Sequence, residues 1–264
     1  MSKPLILVVN DDGIFAPGIS ALVESVQHLG EVVVVSPDTP QSGKGHALTI
    51  SEILRYNRDT KIFKDVEAYS CTGTPVDCVK MAKHVILKGR TIDLCVSGIN
   101  HGSNSAINII YSGTMAAAME ASLENIPSVG FSLLDYSFEA DFLPARPYIQ
   151  KIAEYVMTQS DKSLLFNVNI PKLKFEDIKG VKLCRQANAI WKEHFKEGRD
   201  PANRPYFWLT GEFVNLEADA TDTDVWALAN GFLSAVPSMP DLTDYKRMAT
   251  LQKNNFEKMM IQLS

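Results

Sequence analysis

The sequence predicts an α/β protein built on a doubly wound, mostly parallel sheet, with a C-terminal appendage of a hairpin and a terminal helix. Three observations carry that prediction. Leu5–Val9 and Glu31–Ser36 are unbroken apolar, β-branched runs, as expected of strands buried on both faces. Between them Ile19, Leu22, Val23 and Val26 recur at helical spacing, so strand, helix and strand fall within about thirty residues. Further apolar runs then alternate with helical patterns, and several close on polar loops.

Taken in order, the first helix spans roughly Pro17 to Leu29, with Pro17 suited to its first turn and Gly30 as its stop. After the second strand, "PDTPQSGKGHALTI" is a Gly/Ser/Pro-rich loop, and "RYNRDTKIFKDVEAYS" alternates as an edge hairpin does. Thr74-Pro75-Val76-Asp77 has the order of a helix start, with a Thr cap, Pro next and an acid three residues on, in a helix reaching about Leu87. "TIDLCVSGIN", "PSVGFSL" and "LLFNVNIP" are further strands. "YSGTMAAAMEASLENI" and most of Pro144–Ser160 are helices. Beyond residue 172 the alternation weakens. "VKLCRQA" and "YFWLTGEF" are expected as paired strands flanking a polar loop, "IWKEHFKEGRDPANRP". Asp241–Ser264 is expected as one terminal helix with Phe256, Met259, Met260 and Leu263 on one side. Residues 1–180 form the expected catalytic core. Residues 181–264 complete it and add the appendage, without being an independent domain.

Composition narrows the function. With 45% hydrophobic and 22% charged residues and a net charge of −5, the chain is an ordinary globular protein whose surface does not suit a nucleic-acid polymer. A local site for a small anion is compatible with that charge. The N-terminal apolar stretch is too short for a signal peptide, and no segment has the length of a membrane span. Cys71, Cys78, Cys95 and Cys184 show no CxxC spacing, which predicts reduced thiols in a cytoplasmic protein.

In open parallel sheets ligands bind beyond the carboxyl ends of the strands. Three polar loops follow buried strands here: Asn10–Gly13 ("NDDG"), Ser36–His46 and Ser97–Asn104 ("SGINHGSN"). A fourth stretch, Tyr111–Thr114, opens a helix. Asp11 and Asp12 supply hard carboxylate oxygens, and Ser42 and Asn100 a hydroxyl and an amide oxygen. Without imidazole or thiolate, that set suits one divalent ion such as Mg²⁺, Mn²⁺ or Ca²⁺ rather than structural zinc. A DDG sequence alone is more often a solvated turn; its place directly after a buried strand argues for the site. Ser112-Gly113-Thr114 before a helix offers free N–H groups and hydroxyls to a phosphate, although an ordinary Ser/Thr cap has the same appearance. His101 is a weaker candidate acid, and His46 resembles it in being a loop histidine. The P-loop spacing, a GxGxxG fingerprint and a GxSxG elbow are all missing.

Together these motifs resemble the SurE (survival protein E) nucleotidases. The matching pieces are "ILVVNDDGIFAPGI", "SPDTPQSGKGHALT", "GTPVDCV", "SGINHGSN" and "YSGTMAAAMEA". Later come "DPANRPYFW", "TDTDVWALANGFLSAVP" and "DLTDY", in family order across nearly the whole chain. Two departures fall in the appendage: Ala202-Asn203 stands where the family more often has Arg-Gly, and "VPSMPDLTDY" varies a segment usually closer to "TPL". The resemblance implies a three-layer α/β/α, Rossmann-like core and a metal-dependent hydrolase of nucleoside 5′- and 3′-monophosphates, acting in some members on short polyphosphate. It implies metal ligation at Asp11, Asp12, Ser42 and Asn100, and phosphate binding at Asn104, Ser112, Gly113 and Thr114. It also implies a homodimer or homotetramer, joined through a projecting hairpin near residues 181–215 and a swapped segment after Pro237.

The expected chemistry is in-line attack of an activated water on phosphorus, with Asp11, Asp12, Asn104 and Ser112 as the catalytic set and Asp11 favoured as proton acceptor. A different class, a receiver-like or nucleotide-binding regulatory domain with an acidic Mg²⁺ site, shares the "ILVVNDD" opening. It needs an acceptor aspartate at the end of its third strand, and "CVSGIN" has none.

Overall fold

The computed structural model describes residues 3–59 and 61–261. Along the chain the strands and helices are β1 (Leu5–Val9), α1 (Pro17–Val26), β2 (Glu31–Pro37), β3 (Tyr56–Asp59), β4 (Glu67–Cys71), α2 (Pro75–Met81), β5 (Leu94–His101), α3 (Gly113–Leu123), β6 (Ser128–Leu133), α4 (Arg146–Met157), β7 (Leu165–Ile170), β8 (Val181–Leu183), β9 (Ala189–Arg199), β10 (Pro205–Asn215), α5 (Asp224–Ala229), β11 (Leu233–Pro237), α6 (Tyr245–Lys253) and α7 (Phe256–Ile261).

Nine strands form one sheet in the order β3-β4-β2-β1-β5-β6-β7-β11-β8. From β4 to β7 the pairing is parallel; β3 is antiparallel at one edge, and β11 runs antiparallel to β7. Strand β1 is fully buried because both of its faces are covered. Ile6 and Val8 join the apolar cluster of α1 and α4, including Leu22, Val26, Ile149 and Val156. Leu5, Leu7 and Val9 join the cluster of α2 and α3, including Val79, Ala117 and Ala121. Helices on both faces make three layers, the expected α/β/α class, and the small residues of "MAAAMEA" are what let α3 lie close to the sheet. Helix α2 starts with the expected capping box: the Asp77 N–H donates to Thr74 Oγ1 (3.2 Å) and the Thr74 N–H to Asp77 Oδ2 (2.9 Å). It continues through a π-helical turn over Ala82–Ile86.

The structure corrects three expectations. Helix α1 ends at Val26, short of Leu29, and turns carry the chain to Gly30. The polar "IWKEHFKEGR" is strand, not loop: β9 pairs residue by residue with β10 around a turn at Asp200–Arg204. "VKL" instead joins the main sheet as β8. The charged composition hid this hairpin because it stands in solvent on both faces, so no alternation of buried and exposed residues marks it. The terminal helix is two helices, α6 and α7, broken at Asn254-Asn255 where Asn255 has φ 58°. Phe256 and Met260 are half-exposed there; the Met259 side chain and Leu263 lie outside the described residues.

Candidate active site

Strand β1 lies between β2 and β5, where the chain's connections diverge, so its carboxyl end opens a crevice in the sheet. The NDDG turn sits there. Gly13 adopts φ 95°, a conformation costly for any residue with a side chain, and it lets the chain leave the strand sharply. Asn10 braces the turn, its Nδ2 donating to the Gly13 carbonyl (2.9 Å) while its Oδ1 accepts from Ser36 at the end of β2.

Asp11 is buried, and the start of α3 closes over it. Thr114 Oγ1 donates to Asp11 Oδ1. At Gly113 a Cβ would stand 2.7 Å from the Asp11 Cβ, so only glycine admits this approach. Ser112 caps α3, its Oγ accepting from the Met115 N–H (3.0 Å). Burial foremost, then the Asp12 carboxylate, pushes the Asp11 pKa up to about 6 despite the Thr114 hydrogen bond. Burial likewise raises Asp12, opposed by the His101 backbone N–H, which donates to its Oδ2 at 3.3 Å. Two adjacent desolvated carboxylates and a helix N-terminus thus meet at one point.

The loop carrying Ser42 is pinned over this point. The Gln41 N–H donates to the Asp11 carbonyl (2.7 Å) and the Gly45 N–H to the Tyr111 carbonyl (3.1 Å). His46 Nε2 lies 2.8 Å from Glu120 Oε2, and Lys80 also pairs with Glu120. These partners, His46 foremost, hold the Glu120 carboxyl below the usual range. Ser42 itself is exposed and borders the same cavity as Asp12. Asn100 is the second-last residue of β5, past a register shift between Ser97 and Asn100; its Nδ2 donates to the Gly102 carbonyl (2.9 Å), which leaves Oδ1 as its acceptor.

Comparison with known proteins decides the relationship. The family model described as "Survival protein SurE" matches residues 6–193. The chain belongs to the SurE family. It is 55% identical over 258 residues to "5′-nucleotidase SurE" of Flavobacterium psychrophilum, covering 97% of this chain and 99% of that protein. It is 54% identical to the protein of the same name from Cytophaga hutchinsonii, covering 96% of this chain and 98% of that one. The crystal structure of the SurE protein from Aquifex aeolicus superposes with a TM-score of 0.80 at 40% identity, over 96% of this chain and all of that one.

Within this SurE chain, the structure brings Asp11, Gly113 and Thr114 into direct contact, sets Asp12 against the His101 backbone, and places Ser42 and Asn100 on the loops alongside. Asn104 is different. Its Nδ2 donates to Ser132 Oγ (2.8 Å), and two buried asparagines of β7 clamp its backbone. The Asn104 N–H donates to Asn169 Oδ1 (2.8 Å), and Asn167 Nδ2 donates to the Asn104 carbonyl (2.9 Å). Two residues on, Asp224 Oδ2 accepts from the Ala106 N–H (2.8 Å), where Ala106 holds φ 51°.

Sequence reasoning missed these supports. A signal existed in β7: Asn167 and Asn169 are polar residues two apart, on one face of a strand that is otherwise apolar. Glu120 is likewise the lone charge among the small residues of α3. Asp224, far along the chain, offered no such signal. Both ring nitrogens of His101 are buried without hydrogen-bond partners among the described residues, and its ring lies edge-on to Phe142 at 5.2 Å. The end of β5 carries no acidic acceptor, so the receiver arrangement is missing.

Among the described residues, no cluster of three or more His, Cys, Asp or Glu side chains could hold a metal ion. The acidic contribution is two carboxylates, and any further donors are neutral. That set still fits a hard divalent cation, because Asp11 is buried with Asp12 next to it in the chain and neither carboxylate is paired with a Lys or Arg.

Proposed function

We propose that this protein is a divalent-metal-dependent phosphohydrolase releasing phosphate from nucleoside 5′-monophosphates, with 3′-monophosphates and short polyphosphate as further substrates. The observation that carries the reading is the abutment of the buried Asp11, with Asp12 next to it in the chain, on the N-terminus of α3. The names of the relatives, 5′-nucleotidases, support the substrate class.

Asp11, Asp12, Ser42 and Asn100 would hold one Mg²⁺, Mn²⁺ or similar ion per subunit. Such an ion, when bound, supplies phosphoryl polarisation and a water of lowered pKa. The chain's own part is positioning. The Gly113 and Thr114 N–H groups at the start of α3, with the Ser112 hydroxyl, would face a dianionic phosphate, and the helix dipole favours it there. Asn104, held rigid by Asn167 and Asn169, orients the loop that borders the phosphate. Asp11, the carboxylate set against the start of α3, is the proposed proton acceptor.

We further propose a homo-oligomer held by the β9–β10 hairpin and the segment after Pro237, with residues 1–180 as catalytic core and 181–264 as its completion. Apolar side chains stand in solvent along that hairpin, among them Phe195, Phe207, Trp208 and Leu209, which a partner chain would cover. Among the described residues no helix is long and apolar enough to cross a membrane, and all four cysteines are free, which supports a cytoplasmic setting.

The test is phosphate release from AMP, 3′-AMP and tripolyphosphate across a panel of divalent ions, with EDTA controls. Metal-dependent release from AMP, lost in Asp12→Asn, is expected; equal release in EDTA would overturn the metal assignment.

A further inference from the structure

We infer that the cavity beside Asp12, walled by Phe15, Tyr136 and Phe138, is the subsite that stacks the nucleobase of the substrate. The inference rests on the nucleotidase reading and goes beyond it by naming what recognises the base.

The cavity has a volume of about 370 Å³ and shares Asp12 and Ser42 with the candidate catalytic site, so a molecule anchored there by its phosphoryl group enters the cavity without a break. Its rings come from two separate segments. Phe15 follows the NDDG turn, and Tyr136 and Phe138 follow β6. All three are strongly exposed, at 76%, 75% and 89%. Three rings left bare around one cavity, next to a site for a small ligand, are unusual for a surface with nothing to bind. The wall is also anchored: a Cβ on Gly102 would stand 2.3 Å from the Tyr136 ring, so that ring packs directly on the backbone beyond β5. His101 lines the cavity too, its ring 6.1 Å from Phe138 and edge-on to Phe142.

Charge decides which part of a nucleotide belongs here. Asp12 and Asp38 line the cavity, and no Lys or Arg does. With Asp12 committed to the cation, the Asp38 carboxylate still disfavours a phosphate deeper in this cavity, whereas an uncharged heteroaromatic base has two π-faces to offer. Asp38 adds an acceptor for an exocyclic amine or a ribose hydroxyl. The second cavity at the site, about 700 Å³ beside Ser112, has walls of Ile109, Ile110, Met119 and Leu242 and no Phe, Tyr or Trp. Its Arg185 is already paired with Glu217 and Asp222. Its one aromatic ring, His46, is tied to Glu120.

The experiment compares AMP with ribose 5-phosphate, which has the same phosphate and sugar but no base, in wild type, Phe15→Ala, and Tyr136→Ala combined with Phe138→Ala. Wild type is expected to favour AMP at least tenfold in kcat/KM. The double variant raises KM for AMP about tenfold with little change in kcat, leaves ribose 5-phosphate unaffected, and so closes the gap. Equal losses on both substrates, or no loss on AMP, would overturn the assignment. So would a change of particle mass on size exclusion with unchanged KM, which would make these rings a subunit contact. Adenosine provides a reading independent of catalysis: by calorimetry it binds wild type and at least tenfold more weakly the double variant. If AMP is not hydrolysed at all, the nucleotidase reading fails while adenosine binding still reports on the subsite; adenosine binding unchanged by the substitutions overturns the subsite itself.

Discussion

Gly113 leaves the space that the Asp11 carboxylate fills. A Cβ at position 113 would lie 2.7 Å from the Asp11 Cβ and 2.9 Å from its Oδ2. Neither atom has room to retreat, because Asp11 is buried beneath α3 and bonded to Thr114.

Gly113→Ala therefore displaces the carboxylate rather than the helix. Displacements on the order of 1 Å in a reacting site cost about a hundredfold in rate. Kinetics on AMP should show a fall in kcat/KM of that order, with far-UV circular dichroism unchanged. Activity within twofold of wild type would show that Asp11 tolerates the shift.

The raised pKa of Asp11 predicts an unusual stability profile without metal. Its folded pKa of about 6 lies above the ordinary 3.8, so its favourable contribution is fully present below pH 3.8 and lost as pH rises through about 6. Above that pH, Asp11→Asn removes a buried charge. In EDTA at pH 8 the variant should be the more stable protein, by up to about 3 kcal/mol, with the advantage shrinking towards pH 4. Thermal melts at several pH values check this, and a variant less stable at pH 8 would contradict it.

The same proton competes with a divalent ion. Below pH 6 the apparent metal affinity should fall about tenfold per pH unit as Asp11 protonates. The acid limb of the activity profile should accordingly move to lower pH as Mn²⁺ is raised. A limb insensitive to metal concentration would assign the titration elsewhere.

Asp224 is the strongest support outside the site. Its Oδ1 accepts from the Ala187 and Val225 N–H groups (2.9 and 2.8 Å) and its Oδ2 from that of Ala106 (2.8 Å). An amide offers only one acceptor oxygen, so Asp224→Asn turns an N–H towards an NH₂. The cost is about 2 kcal/mol, a melting temperature lower by several degrees. Ala187 precedes the hairpin and Ala106 follows Asn104, so KM for AMP should rise with it.

Removing the tip of the hairpin, residues 193–211, in favour of a short Gly-Ser turn tests its part in assembly. The nine-stranded sheet does not include β9 or β10, so the core should still fold. Size-exclusion chromatography with light scattering should give a smaller particle; an unchanged mass would remove the hairpin from the interface.

How much of this was legible beforehand follows from burial. Strands β1, β2, β5, β6 and β7 are buried on both faces, and their apolar runs announced them. The hairpin and the C-terminal helices stand in solvent, where composition is free to be polar, and their pattern misled. Asp11 and Asp12 were legible because two acids at the end of an apolar strand have few structural reasons to be there.

The sequence by itself determined the α/β class, the order of the core strands and helices, and the loops that carry hard oxygen donors. These are local properties, written in periodicity and turn chemistry. Only the tertiary structure decided that Gly113 presses on Asp11, that Asn167, Asn169 and Asp224 hold the loop of Asn104 and Ala106, and that Phe15 shares a cavity with Tyr136 and Phe138. Those pairs lie tens to more than a hundred residues apart. Nothing local couples them; the packing of helices on both faces of one sheet brings them together.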